Sequence, residues 1–224
     1  MKRLLALVRE LGAGWAVLYL LHRLFAAQSL PVSLYAYRLV RQPVPDRASL
    51  GAARRARFSC RLLKPQDPML AATFIDEKIL DDRFSQGAQC YGLFKEDRLI
   101  AWLWLVKGAY EEDEVRARFL LAPDCVWDFD VYIHPDHRLG FAFAALWDAV
   151  NEDLHRQSIR WTMSRISAFN AASLRSHARM GAVPCGGLVF LSFGPVQLML
   201  GSRRPFVHLG LRRGHRPEIH FSPH

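Results

Sequence analysis

Hydrophobic residues recur along this chain with two periods, and the switches between them mark out its elements. At the N-terminus Leu4, Val8, Leu11, Trp15, Leu18 and Phe25 follow three- and four-residue steps, which predicts a helix over residues 1–25 with an apolar face. Its charge-free run, Leu11 to His22, is 12 residues. A bilayer-spanning helix needs roughly 20. Arg9 and Glu10 break what would otherwise read as a signal-peptide core. The segment is apolar on most faces and must be buried against something. It lies in the plane of a lipid surface with Lys2, Arg3, Arg9 and Arg23 at head-group level, or it packs on the protein or in a dimer interface. Pro31, Pro43 and Pro45 punctuate residues 29–53, which reads as an irregular connection.

Beyond it the pattern alternates. Phe58–Leu63 predicts a first strand and Pro65–Asp82 one or two helices. Cys90–Phe94 and Leu99–Val106 predict a hairpin closed by Lys95-Glu96-Asp97-Arg98, with Trp102 and Trp104 as core residues on one strand face. The acidic stretch Glu111–Glu114 reads as a solvated loop or as a group that orients a cationic acceptor. In the central strand, alternation puts Val126, Asp128, Asp130 and Tyr132 on one face and Trp127, Phe129, Val131 and Ile133 on the other. A helix follows over Leu139–His155, burying Phe143, Leu146, Val150 and Leu154 and turning Asp148, Glu152 and Asp153 outward. Trp161–Ser167 predicts a strand, Ala171–Met180 a helix closed by Gly181, and Leu188–Phe193 with Val196–Leu200 a final hairpin across Gly194-Pro195. The order of elements predicts an α+β fold: a mixed, largely antiparallel sheet flanked by helices, with an extra N-terminal apolar helix.

Composition narrows this further. With 224 residues, 51% of them hydrophobic, the chain has material for one good core. Residues 1–53 read as an N-terminal extension, 54–200 as the main domain and 201–224 as a basic tail, in which His215, His220 and His224 sit in Pro-rich, unstructured sequence. The net charge of +9 is concentrated at the ends: residues 1–50 hold seven Lys/Arg against two acids, residues 201–224 five against one, and residues 51–200 eighteen of each. Basic ends meet anionic lipid or nucleic acid, or merely solvate a tail. The Arg-rich ends lack aromatic interleaving and a reading element, which argues against nucleic acid. Cys60, Cys90, Cys125 and Cys185 form no C-x-x-C pair and suit reduced thiols in a cytosolic protein. His134-Pro-Asp-His137 has no second His/Cys cluster to support it, so no metal is expected.

Two segments carry the candidate chemistry. Cys125–Asp148 runs from a strand through His134-Pro135 into a turn and a helix, and Ile159–Ala182 runs from a strand through Asn170 into a basic helix. A strand feeding a helix N-terminus presents unpaired backbone N–H groups to an anion such as a pyrophosphate. Asn170 is a plausible N-cap whatever the function.

These segments together resemble the GNAT superfamily, the acyl-CoA-dependent N-acyltransferases, over roughly residues 57–200. Ile133-His134-Pro135 matches the family's hydrophobic-x-Pro step. His137-Arg138-Leu139-Gly140-Phe141-Ala142 matches its Q/R-x-x-G-x-G/A turn, with His137 in place of Gln or Arg and Arg138 one position along. Asn170, His177, Gly181 and Ala182 match the second signature, with His replacing an aromatic and Ala a Phe. The resemblance implies acetyl-CoA or a longer acyl-CoA as co-substrate, its pyrophosphate held by the turn and its thioester carbonyl by backbone N–H near Ile133. It implies a primary amine as acceptor, bound near Pro65–Asp82. Asp128 or Asp130 then serves as general base and His177 as the acid in place of the family's tyrosine. A pair of carboxylates side by side on one face would raise one another's pKa. The expected protein is a cytoplasmic acetyltransferase or longer-chain acyltransferase, at or near the inner face of a membrane, with homodimerisation open. The alternative is a non-catalytic acyl-CoA-binding or interaction module.

Overall fold

Strand residues alternate and helix residues cluster largely where the hydrophobic pattern puts them, but Val32–Pro43 and the described part of the C-terminal stretch hold more order than it predicts. The computed structural model describes residues 12–27, 31–212 and 214–222. In chain order the elements are α1 (Ala13–Ala27), β1 (Val32–Pro43), α2 (Ala52–Arg55), β2 (Ser59–Leu63), a 3-10 helix (Pro68–Thr73), α3 (Glu77–Ser85), β3 (Gln89–Lys95), β4 (Arg98–Lys107), β5 (Ala109–Glu111), β6 (Arg118–Leu121) and β7 (Cys125–Ile133). A second 3-10 helix (Pro135–His137) then precedes α4 (Ala142–Arg156), β8 (Trp161–Ser167), α5 (Ala171–Arg179), β9 (Val183–Phe193), β10 (Val196–Gly201), β11 (Val207–Gly210) and β12 (Glu218–Phe221). The chain divides into two compact units. The first comprises Met1–Gln42, Glu111–Leu120 and Met163–His224, the second Pro43–Tyr110 and Leu121–Thr162.

In the second unit β2, β3, β4 and β7 pair in that order, every pair antiparallel. The β3–β4 hairpin turns on Glu96 and Asp97, whose φ values of 50° and 60° match the twist of the flanking strands as a two-residue primed turn does. α4 packs on β3 and β4. Its Leu146, Trp147, Val150 and Leu154 are fully buried, each worth about 1.5–3 kcal/mol of apolar transfer. Trp102 and Trp104 are core residues, as expected. Asp148 is not turned outward: it is buried, and its carboxylate accepts from Ser49 N (2.8 Å), Ser49 Oγ (2.9 Å) and Leu50 N (2.9 Å). It therefore ties the chain entering this unit to α4.

In the first unit the order is β11-β10-β9-β1, with β8 beyond β1. The expected irregular connection over 29–53 is corrected here, because Val32–Pro43 forms a long strand paired antiparallel with β9, Leu34 facing Leu191 and Tyr37 facing Leu188. Its prolines stand at the ends, where they cost no interior ladder bond. The unstructured C-terminal tail is corrected too: β11 extends the sheet, β12 pairs with β6, and Ile219 and Phe221 are buried, Phe221 edge-on to Phe119. His220 lies in β12 and His215 stacks near His208 at 4.7 Å, while His224 is outside the described residues.

α1 lays Trp15, Leu18 and Phe25 against Leu34, Ala36 and Ala168. Gly187 makes this docking possible, since a Cβ there would sit 3.2 Å from the Trp15 ring. Leu4, Val8, Leu11, Lys2, Arg3 and Arg9 lie outside the described residues. No helix among the described residues is long and apolar enough to cross a membrane. The acidic stretch is solvated only in part: Glu111, Asp113 and Glu114 are exposed, but the Glu112 side chain is almost wholly buried against Arg165, and Glu114 bonds both Arg165 (2.9 Å) and the Tyr37 hydroxyl (2.6 Å). The four cysteines are free thiols.

Candidate functional site

β7 carries one residue more than its partner. Trp102 faces Tyr132 and Trp104 faces Phe129, so Asp130 and Val131 together oppose Leu103 alone. This is a β-bulge, and Asp130 takes it up with φ 49°, in the left-handed region. Strict alternation fails at that point. The Asp130 carboxylate meets Arg83 Nη1 at 2.6 Å, while the same guanidinium lies over the rings of Phe129 (5.1 Å) and Trp104 (5.2 Å). Consecutive residues thus reach one side chain. Asp128, buried and facing Leu105, projects to the other side from Phe129. The expected pair of adjacent carboxylates is therefore parted by the bulge.

Arg83 comes from the last turn of α3, and its side chain is only 9% exposed. Sequence gave no hint of it. α3 and the first 3-10 helix border a cavity of about 570 Å³, in which Leu70, Ile75, Leu80 and Phe84 supply apolar wall and Glu77 and Asp81 supply negative charge. Phe84 also stands edge-on to Trp104 at 5.1 Å, which links the cavity wall to the bulged strand.

Beyond Ile133 the strand gives way to a turn. His134 N donates to Ile100 O (2.8 Å), His137 N to His134 O (2.9 Å) and Gly140 N to His137 O (3.2 Å). Arg138 bends back so that Nε donates to Ile133 O (3.0 Å), with its guanidinium 5.9 Å from the Tyr132 ring centre. α4 then starts at Ala142, three residues later than expected. It has no side-chain cap at Phe141 and no acid in its first turn. The N–H groups of Ala142, Phe143 and Ala144 have no intrahelical acceptor, and no acid within the first turn offsets the positive end of the dipole. Arg54 lies over the half-exposed Phe141 ring at 4.6 Å, adding a second guanidinium to that of Arg138. Leu139 is fully exposed. A Cβ on Gly140 would meet nothing nearer than His137 O at 3.5 Å, so internal packing does not demand glycine there and the space above the turn is open. The arrangement is an open turn bordered by two guanidinium groups and leading into an uncapped helix start, chemistry that favours an anion. Ile133, His137, Arg138, Leu139, Gly140, Phe141 and Ala142 all contribute to it or border it.

The other expected residues, Asn170 and His177, lie in the first unit. Asn170 caps α5, its side chain accepting from Ser173 N at 3.0 Å. His177 is buried, and its carbonyl accepts from Met180 N and Ala182 N where Gly181 (φ 87°) closes the helix. Burial pushes its imidazole down to about 4. The ring is therefore neutral around pH 7, and little imidazolium is present there to donate a proton. Among the described residues no group of three or more His, Cys, Asp or Glu is placed to hold a metal ion.

Comparison with solved structures gives the fold. The chain is similar to a tandem GNAT protein from the clavulanic acid biosynthesis pathway (TM-score 0.50, 14% identity, covering 75% of this chain and 56% of that one). It is similar to the same degree to a Drosophila protein (TM-score 0.50, 15% identity, 72% and 52%). The chain spans little more than half the length of either. No family model and no curated protein matches its sequence. The fold is the GNAT fold, with the mixed α+β, largely antiparallel architecture expected of it.

Proposed function

We propose that this GNAT-fold chain is an N-acyltransferase that moves an acyl group from acetyl-CoA or a longer acyl-CoA to a primary amine. The observation that carries the reading is the open turn, bordered by two guanidinium groups, at the uncapped start of α4, directly following a bulged strand that bears a carboxylate. In this reading the acyl-CoA pyrophosphate sits on the amides of Leu139–Ala142 between Arg138 and Arg54. The acceptor enters beside α3, where Glu77 and Asp81 favour a cation and Leu70 and Phe84 favour an apolar body. An amine attacks only as the free base, so Asp130, or Asp128 behind it, takes its proton directly or through water. The departing thiol has a pKa of about 8.5, so it leaves near neutrality with little help from an acid. His177 then has a packing role. The acceptor is presented in the cytoplasm at or near a membrane surface.

One observation favours a second reading. The Asp130 carboxylate is already engaged by Arg83 at 2.6 Å, which suits a module that binds acyl-CoA without turning it over. A screen for free CoA release, crossing acyl length with amine class, separates the two. Amine-dependent release that falls in both Asp130→Asn and Asp128→Asn, or in either, supports the enzyme. Binding of acyl-CoA with no release across the amine panel refutes it.

A further inference from the structure

The first unit has one sheet face that the fold leaves largely uncovered, and its chemistry is one-sided. Residues directly opposite across a sheet share a face. Leu34, Leu191, Leu198 and Leu209 form one such row across β1, β9, β10 and β11, and Ala36, Val189, Leu200 and Val207 form the next. α1 covers the β1 end of these rows. The β10–β11 end stays open: Leu200, Val207 and Leu209 are 47%, 62% and 51% exposed, and Phe193 at the end of β9 and Phe206 just before β11 are more than half exposed. On the same side, α1 turns a second stripe outward. Val17, Leu20, Leu21 and Leu24 follow the i, i+3, i+4, i+7 spacing of one helix face, and all are exposed. Isolated exposed leucines need no explanation, but a helix stripe and a sheet face side by side form a patch of the kind that marks an interaction surface.

Charge identifies the occupant. α1, β1, β9, β10 and β11 contain Arg23, Arg38 and Arg41 and no Asp or Glu. Residues 201–217 add five arginines and no acid. Arg23, Arg204 and Arg212 are exposed. The described acids of this unit lie on the β5–β6 segment and β12: Glu112 and Glu114 are held by Arg165 and Tyr37, Glu111 by Arg216 and Glu218 by Arg118, with Asp113 between Glu112 and Glu114. Tyr37 pairs with Leu188 on the opposite sheet face, so Arg23, Arg204 and Arg212 are the exposed charges beside the apolar rows. A symmetric contact between two copies would set these arginines against one another. An anionic lipid surface takes both features at once, the apolar side chains in the acyl boundary and the guanidinium groups at the head groups.

We propose that this face of the first unit, with the α1 stripe as its inserted part and the β10–β11 edge beside it, seats the protein on an anionic membrane. This deepens the membrane part of the function proposed above and is independent of the transfer chemistry. The test is co-sedimentation of the full chain with vesicles of phosphatidylcholine alone or mixed with phosphatidylglycerol. It is run for the native chain, Leu20→Glu/Leu24→Glu and Val207→Glu/Leu209→Glu. CoA release with a soluble amine and circular dichroism are followed in parallel. Binding to the mixed vesicles only, weakened on the order of tenfold or more by each double variant, is the expected result. Folding and CoA release stay unchanged in both variants, so a failure of lipid binding reads separately from a failure of catalysis. Absence of native binding to mixed vesicles, equal binding by all three chains, or a native dimer in light scattering that Leu20→Glu/Leu24→Glu dissociates would overturn the proposal, the last outcome in favour of a second copy. Retention on DNA or RNA in preference to vesicles would overturn it as well.

Discussion

His177 makes the stability of this protein depend on pH in a direction set by its burial. The unfolded ring titrates near 6.5, and burial in α5 holds the folded ring at about 4. Above pH 6.5 the imidazole is neutral in both states, and the full stability is present. Between 6.5 and 4 the unfolded chain takes up a proton that the folded chain refuses, so stability falls as pH falls. Below about 4 the folded ring accepts the proton too and this loss ends. At about 1.4 kcal/mol per pH unit the whole window corresponds to roughly 3 kcal/mol. The perturbation is His177→Phe, which keeps an apolar ring in the site and removes the titration. Urea unfolding of both chains at intervals from pH 7.5 to 4.5 should show the native chain losing about 2–3 kcal/mol more than the variant over that span. Carboxylates titrate in both chains and cancel in the difference. Nuclear magnetic resonance of the ring protons should show one histidine that stays neutral to about pH 4. Parallel stability curves, or a His177 resonance that titrates near 6.5, would refute the burial argument. The same variant bears on catalysis: with His177 neutral around pH 7, His177→Phe should keep CoA release within a few-fold of native.

Three further outcomes follow from the geometry. Asp148→Ala deletes a buried carboxylate that accepts three hydrogen bonds and strands the N–H groups of Ser49 and Leu50, so urea unfolding should show a loss of about 3 kcal/mol or more. Arg165→Met leaves Glu112 buried without its cation and should cost about 3–5 kcal/mol in the same measurement, eased as acidification neutralises the carboxyl. Gly140→Val adds bulk where only His137 O stands nearby, so the variant should keep native stability and raise the KM for acyl-CoA about tenfold or more, while Gly140→Ala stays close to native.

What could be read in advance was local. Trp161–Ser167 appears with the ends its alternation predicts, and the buried stripe Leu146, Val150 and Leu154 lies where a 3.6-residue period puts it. The misreadings share a cause: each depends on a partner far away in sequence. Asp148 looks like an outward carboxylate on a helix until the donors at residues 49 and 50 arrive from 99 and 98 positions earlier. Glu112 looks solvated until Arg165 closes on it from 53 positions away. β1 was obscured by prolines that sit only at its ends, and β12 by a Pro-rich approach whose strand is fixed by pairing with β6. At the candidate site, the turn from Ile133 to Ala142 was legible because its signature is contiguous. Arg54 and Arg83 were not, since no local pattern distinguishes them from any other surface arginine.

The bulge in β7 is the most consequential of these non-local features, because an extra residue in one strand exists only relative to its partner. Alternation along residues 126–133 cannot show it; the register against β4 can. Once it is present, Asp130 must adopt φ 49°, a conformation in which glycine is unstrained and any other residue costs on the order of 1 kcal/mol, less for Asp and Asn than for most. An aspartate there is the less relaxed backbone choice, and what it adds is a carboxylate on the face where Arg83 waits. That ion pair, with the Arg83 guanidinium over the rings of Trp104 and Phe129, stands nine residues ahead of Leu139 on the strand that leads into the turn before α4. Whether the carboxylate takes a proton or only orients a cation depends on how readily Arg83 releases it. The Asp130 carboxylate is thus held by a residue from α3, 47 positions upstream.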